Sequence, residues 1–151
     1  MNLAGLAAAV YTRLTGDATL LALLTGGVRH FYSVASEPEN AQTPYAVFTV
    51  DIGEHVFSPK GSVWDLDVTI TVSCPRTTTF QDLSDSLGRI YGDAEDNAPP
   101  VPTYGLHRWT PTLSGVWTAG IMTCQDGTSL TTDPDWYHYS LVFRCRLSRG
   151  S

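Results

Sequence analysis

Lysine is almost missing from this chain of 151 residues. Lys60 is the only one among nine cationic side chains, and the net charge is −6. A protein that grips nucleic acid by its phosphates needs clustered positive charge, so that class is set aside. An acidic balance suits solubility, or a surface to which DNA should not adhere. Cysteine is scarce as well. Cys74, Cys124 and Cys145 are odd in number and show no C-x-x-C spacing, so neither a disulfide framework nor a zinc site is indicated. Cys74 and Cys145 fall on the apolar phase of strand-like segments, where buried free thiols of a reducing compartment are expected. No apolar run approaches the ~18 residues of a membrane span. No charged n-region precedes the apolar N-terminal stretch, so a signal peptide is not expected.

The patterns of catalysis are missing too. There is no G-x-S-x-G, no G-x-x-x-x-G-K-[ST] and no G-x-G-x-x-G. His30, His55, His107 and His138 are scattered, with no pair at metal-ligand spacing. Asp51, Glu54 and His55 crowd the end of a strand, where a metal or acid–base site competes with a solvated turn. His138 lies on the polar phase of a strand, the place of a solvated or hydrogen-bonded histidine. Asp93, Glu95 and Asp96 lack the spacing and closing glutamate of a calcium loop, so a solvated acidic loop is the simpler reading. No enzyme, metal or cofactor is indicated.

What is present is periodicity. In "MNLAGLAAAVYTRL", Leu3, Leu6, Val10 and Leu14 recur at helical spacing among alanines. Gly16 closes that helix. Asp17 is placed as the N-cap of a second short helix, "ATLLALLT", which Gly26 and Gly27 end. Residues 33–44, with two prolines, read as a loop. "YAVFTVDI" at 45–52 is a strand apolar on both phases. "GEHVFSPKGS" reads as a turn region. In "WDLDVTITVSC", 64–74, every even position is apolar and every odd position polar, the period of a strand with one face in a core. After Pro75, Phe80, Leu83, Leu87, Ile90 and Tyr91 return to helical spacing, with Thr78 and Gln81 as a capping box and Gly92 as the stop.

"GDAEDNAPPVPT" is an acidic, proline-rich loop. "YGLHRWTPTLSG" and "VWTAGIMTCQDG" read as two less regular strands, the first broken by Pro111. "DWYHYSLVFRCRL", 135–147, alternates clearly. The expectation is a single α+β domain over residues 1–151. Its antiparallel sheet has about four to five strands, with two to three helices packed on one face.

The polar phase of residues 64–74 carries Asp65, Asp67, Thr69, Thr71 and Ser73. The polar phase of the last strand carries Arg144 and Arg146. If the two strands are antiparallel neighbours, arginines face aspartates across the ladder, each pair contributing roughly 0.2–1 kcal/mol. The alternative is that they meet across a subunit boundary, and sequence does not separate the two.

The order of these features resembles the tail-terminator, or tail-completion, proteins of long-tailed bacteriophages. The likeness runs from about Leu3 to Leu147. It is carried by "DATLLALLTGGV" followed about seventeen residues later by "PYAVFTV". Residues 92–130 contribute nothing to it.

The resemblance implies an α+β virion protein, made in the host cytoplasm, without enzymatic activity, cofactor or membrane partner. It implies a homo-hexameric ring at the head-proximal end of the tail tube. The ring would end tube polymerisation, meet the tail tube protein below and the head–tail connector or stopper above, and pass DNA through its bore without specific binding. On that expectation, the face of Asp65, Asp67, Thr69, Thr71 and Ser73 lines the bore or a subunit seam. Two other readings compete. One is another neck component, a stopper or adaptor, although adaptors are mostly helical. The other is a small cytoplasmic binding domain or enzyme on the same scaffold, which a cleft with converging polar groups would favour.

Overall fold

In the computed structural model, the described residues are 3–30, 43–58, 61–77, 80–94, 102–129 and 135–150. Helix α1, Leu3–Thr15, turns Leu6, Ala7, Val10 and Leu14 to one buried side. It ends where the Gly16 N–H meets the Thr12 carbonyl at 2.9 Å. Helix α2, Ala18–Leu23, starts at Asp17, whose carboxylate accepts from the N–H groups of Thr19 and Leu20. Gly26 then donates to the Pro44 carbonyl at 2.8 Å, and a Cβ there would lie only 2.9 Å from that oxygen. This close approach pins the helical hairpin to the start of the sheet.

The sheet has six strands. They are β1 (Val28–His30), β2 (Tyr45–Ser58), β3 (Gly61–Pro75), β4 (Trp117–Ala119), β5 (Thr123–Ser129) and β6 (Trp136–Gly150). Helix α3, Phe80–Tyr91, follows β3. The order across the sheet is β1-β2-β3-β6, with β4 and β5 end to end along the far edge of β6. β3 and β6 pair over their whole lengths, from Gly61↔Gly150 to Pro75↔Trp136. The apolar phases of these strands, including Phe48, Leu66, Val68, Ile70, Val72, Phe143 and Leu147, are wholly buried. They share one core with Leu6, Val10, Leu14, Leu20, Leu83 and Ile90 of the helices. The helices therefore lie on one face of the sheet. Each such side chain contributes roughly 1.5–3 kcal/mol by leaving water, and Ile70→Ala at the centre would cost about 2–5 kcal/mol.

The expected α+β architecture is present, and the structure changes three particulars. The sheet is mixed, because β1 runs parallel to β2, with Val28 opposite Ala46. "GEHVFSPKGS" is not a turn region: β2 and β3 continue as a ladder through His55↔Trp64, Val56↔Val63 and Phe57↔Ser62 to Ser58↔Gly61, and the β-branched and aromatic residues of "HVF" favour a strand by type. A bulge between Ile52 and Glu54 absorbs Gly53. "YGLHRWTPTLSG" forms no strand, and "VWTAGIMTCQDG" divides into β4 and the start of β5. Finally, Thr78 of the expected capping box lies outside the described residues, as do residues 95–101 of the acidic loop and most of the 33–44 segment.

Residues 102–116, with the 120–122 link, instead pack against the core as an irregular cover. Leu106 and Met122 are fully buried there, with Trp109, Leu113 and Trp117 packed beside them. Its backbone bonds run to distant places. Leu106 and His107 donate to the carbonyls of Ile90 and Tyr91, and Arg108 donates to Met122. Gly92 (φ 117°) and Gly105 (φ 83°) press against each other where it begins, closer than any side chain would permit.

Candidate functional site: the polar face of the sheet

Alternation puts the odd-numbered residues of β3 on the face away from the helices. Register puts Asp65 opposite Arg146, Asp67 opposite Arg144, Thr71 opposite Ser140 and Ser73 opposite His138. All four couples touch within one chain. Arg146 donates from Nε to Asp65 Oδ1 at 2.8 Å and from Nη2 to Oδ2 at 3.1 Å. Arg144 donates to Asp67 at 2.9 and 3.4 Å. The Thr71 and Ser140 hydroxyls are 2.8 Å apart. Ser73 Oγ lies 2.7 Å from Nδ1 of His138. Thr69 is half-buried between Thr49 and Val142.

The two ion pairs are lopsided. The Asp65 side chain is 7% exposed under an Arg146 side chain that is 62% exposed, and Asp67 at 26% lies under Arg144 at 41%. The outermost groups here are guanidiniums, with carboxylates beneath. The hydrogen bonds from Arg146 hold the Asp65 carboxyl below its usual range, against burial, which pushes it up. Gly53 makes room for the second pair. A Cβ at that bulge would sit 3.0 Å from Asp67 Oδ2 and 3.2 Å from Arg144 Nη2. At the other end of the face the surface is aromatic. Trp136 stacks on His138 at 6.4 Å and meets Tyr45 edge-on at 5.8 Å.

The remaining sequence candidates do not converge. His30 stacks on Phe48, and burial lowers its pKa. His107 stacks on Tyr91, and its Nδ1 accepts the Cys124 N–H at 3.0 Å. Asp51 is exposed and accepts from Thr49 Oγ1 at 3.3 Å, and the Glu54 and His55 side chains lie outside what is described. Asp93 caps the backbone of Thr103 and Tyr104. Cys74 and Cys145 are buried and free, their thiols pushed up by burial to about 11 and about 12. Among the described residues no group of three His, Cys, Asp or Glu side chains is placed to hold a metal ion. Among the same residues no helix is long and apolar enough to cross a membrane.

One cluster had no local signal in the sequence. Asp17, besides capping α2, takes two bonds from Arg89, Nη2–Oδ1 at 2.7 Å and Nε–Oδ2 at 3.0 Å. The Arg89 guanidinium lies 3.4 Å over the Tyr104 ring. Arg13 donates to the carbonyls of Gly105 at 3.1 Å and Pro102 at 2.9 Å. This clasp ties all three helices to the irregular cover. An open cleft of about 620 Å³ beside it, between α2 and α3, is lined by Ala22, Leu23, Ser84, Gly88 and Tyr104 among others. Its cationic neighbour, Arg89, is already bound to Asp17. The partners in this cluster are separated by up to 92 residues, and only the fold brings them together.

A mixed sheet with helices on one face and a knitted polar ladder on the other defines a structural class of α+β domain. No protein-family model matches the chain, and no curated protein does. Among solved structures, one chain in the "Virion of native gene transfer agent (GTA) particle" shares the fold with a TM-score of 0.73. The two are 21% identical, and the likeness covers 96% of each chain.

Proposed function

We propose that this chain is a virion structural protein of a phage-like particle, and within that class a tail terminator. It would form a ring that caps the head-proximal end of the tail tube, ends polymerisation and offers the joining surface to the head connector. The observation that carries the reading is the full-length likeness to a chain from a gene transfer agent virion. The resemblance of "DATLLALLTGGV" and "PYAVFTV" to terminators narrows it. A sheet-dominated fold is also unlike a helical adaptor. No enzymatic step, cofactor or membrane is part of this function.

In this reading the face of Asp65, Asp67, Thr69, Thr71 and Ser73, with Arg144 and Arg146, belongs to the bore or to a subunit seam. Its chemistry suits either place. Two guanidiniums cancel two carboxylates, and the rest is mostly hydroxyl. Such a surface lacks the net positive charge needed to hold passing phosphates. Away from the aromatic end at Trp136, it also lacks the apolar patch that would make it adhesive.

Electron microscopy of lysates from a phage without this gene tests the proposal. Filled tailless heads beside free tubes of uncontrolled length are expected. Leaking heads beside free tails of normal length would move the protein to the head side of the neck. Normal infectious particles would refute a virion role.

A further inference from the structure

The cleft between α2 and α3 has a wall that the fold itself does not require. Gly88 lies within α3 and is exposed, and a Cβ there would meet nothing within 4 Å. Glycine weakens a helix relative to alanine, and it serves where another backbone or a ligand comes close. Across the cleft Ala22 of α2 is exposed as well, and Leu23 and Tyr104 add to the apolar lining. The opening of about 620 Å³ has room for an apolar side chain and part of the turn that carries it.

Charge on the rim is one-sided. Arg89 is bound to Asp17. Asp85 is exposed and accepts from Gln81 Nε2 at 2.8 Å. Among the described residues it has no ion-pair partner. The cleft therefore fits an apolar group that stands beside a cation.

This chain offers such a group. Val116 is 59% exposed, in the turn Ser114–Gly115–Val116, where Gly115 has φ 87°. The next residue, Trp117, is level with Arg149 of β6. Arg149 is exposed and, among the described residues, makes no ion pair. Residues 102–120 contain no Asp or Glu. The other exposed apolar groups match less well. Ile52 adjoins Asp51, and Ile121 lies near Arg146, which Asp65 binds. Phe80 and Tyr91 belong to α3, with its own carboxylates. Tyr11 is on α1, whose one cation, Arg13, turns to the carbonyls of Gly105 and Pro102.

A chain cannot fill its own cleft with this turn. α2 ends against Pro44, and the adjoining Tyr45 is level with Ser73 and His138. Arg149 stands roughly 35 Å farther along β6, from the rise of an extended strand.

We infer that the Ser114–Val116 turn of one copy seats Val116 in the α2–α3 cleft of the next, with Arg149 against Asp85. The inference rests on the ring reading and gives it a contact. Turn and cleft are different surfaces, so the contact repeats head to tail and closes if the rotation allows. The apolar seat supplies the attraction, and the charge pair fixes which way the turn enters.

Variants of the full chain test this. Val116→Cys and Gly88→Cys are made separately in a Cys124→Ser background, mixed and treated with a short bismaleimide. A covalent dimer is expected in the mixture and not with either variant alone. A mixture no better linked than Ala8→Cys with Val116→Cys would overturn the contact. A dimer from Gly88→Cys alone would mean two clefts face to face and would overturn it too. Asp85→Arg in the Gly88→Cys chain should cut linking by roughly tenfold. Adding Arg149→Asp to the Val116→Cys chain should restore it, and no rescue would overturn the charge pair. Gly88→Leu should unfold no earlier than wild type on heating, yet fail to associate. Earlier unfolding would mean that the chain fills its own cleft, which also overturns the inference. Sedimentation of the wild type separates the two claims. A closed oligomer without the cross-link keeps the ring and removes this contact. The cross-link with only open-ended species keeps the contact and removes the ring.

Discussion

Removing Arg146 should damage the protein more than removing the charge of its partner. Asp65 is buried beneath the guanidinium, whereas Arg146 itself is largely in water. In Asp65→Asn the arginine can swing into solvent, and the loss should be that of a surface pair, about 0.5–1 kcal/mol. In Arg146→Met the aliphatic stem is kept, but a carboxylate is left in a nearly closed site with Arg144 as its nearest remaining cation. That is a poorly satisfied buried acceptor, worth about 1–3 kcal/mol. The double variant Asp65→Asn/Arg146→Met should then be more stable than Arg146→Met alone, since the stranded charge is gone.

The pH dependence follows from the same geometry. Arg146 depresses the folded pKa of Asp65 below its ordinary 3.8. The stability from the pair is therefore present above that value and is lost as pH falls through the folded pKa. In Arg146→Met burial acts nearly alone, the folded pKa rises, and protonation relieves the variant. The gap between wild type and Arg146→Met should shrink from pH 7 toward pH 4. Urea unfolding followed by circular dichroism, at both pH values, measures all of this. If Asp65→Asn costs as much as Arg146→Met at pH 7, or if the gap widens in acid, the argument from burial asymmetry is wrong.

Three further outcomes are expected. Asp17→Ala should cost about 2–4 kcal/mol, from a lost N-cap and an orphaned Arg89. Asp17→Asn, which keeps a capping oxygen, should cost less in the same urea assay. Gly105→Ala should fail to reach the native fold or lose more than about 3 kcal/mol, because its φ is positive and its Cβ would strike the Gly92 backbone; soluble yield and thermal unfolding report this. At pH 8 the native protein should give one fast-reacting thiol, Cys124, with Cys74 and Cys145 silent until denaturant is added. Rapid modification of either buried cysteine would contradict the placement of β3 and β6 in the core.

Much of this was legible because the long elements carry their own period. The even positions of 64–74 and the odd positions of 137–147 each fill one face of a central strand, and both sets are in the core or packed against it. Asp17 was readable as a cap because a capping carboxylate acts on the next turn of its own helix. β1 was not readable, since three residues cannot show a period. The length of the β2–β3 hairpin was hidden by "SPKG", whose proline and glycine read as the middle of a longer loop, whereas the ladder reaches Ser58↔Gly61. The 102–122 cover was missed for a different reason. Its order comes from Arg13, Ile90 and Tyr91, all far away in sequence, and from two glycines that touch. The cross-ladder arginines were visible as a choice between a neighbouring strand and a neighbouring subunit. Within the chain, register puts each beside an aspartate of β3.

The placement of β6 also sets a timetable. It is the latest strand of the sheet in chain order, yet it occupies the middle, with β3 on one side and β4 and β5 on the other. Neither β4 nor β5 has any other strand to join among those described. During synthesis, the β2–β3 hairpin can zip as it emerges, but β4 and β5 must wait as unpaired chain for residues 136–150. Such non-local closure belongs to domains that fold in milliseconds to seconds rather than microseconds. A growing chain of this protein would thus carry no finished β4 or β5 until residues 136–150 have emerged.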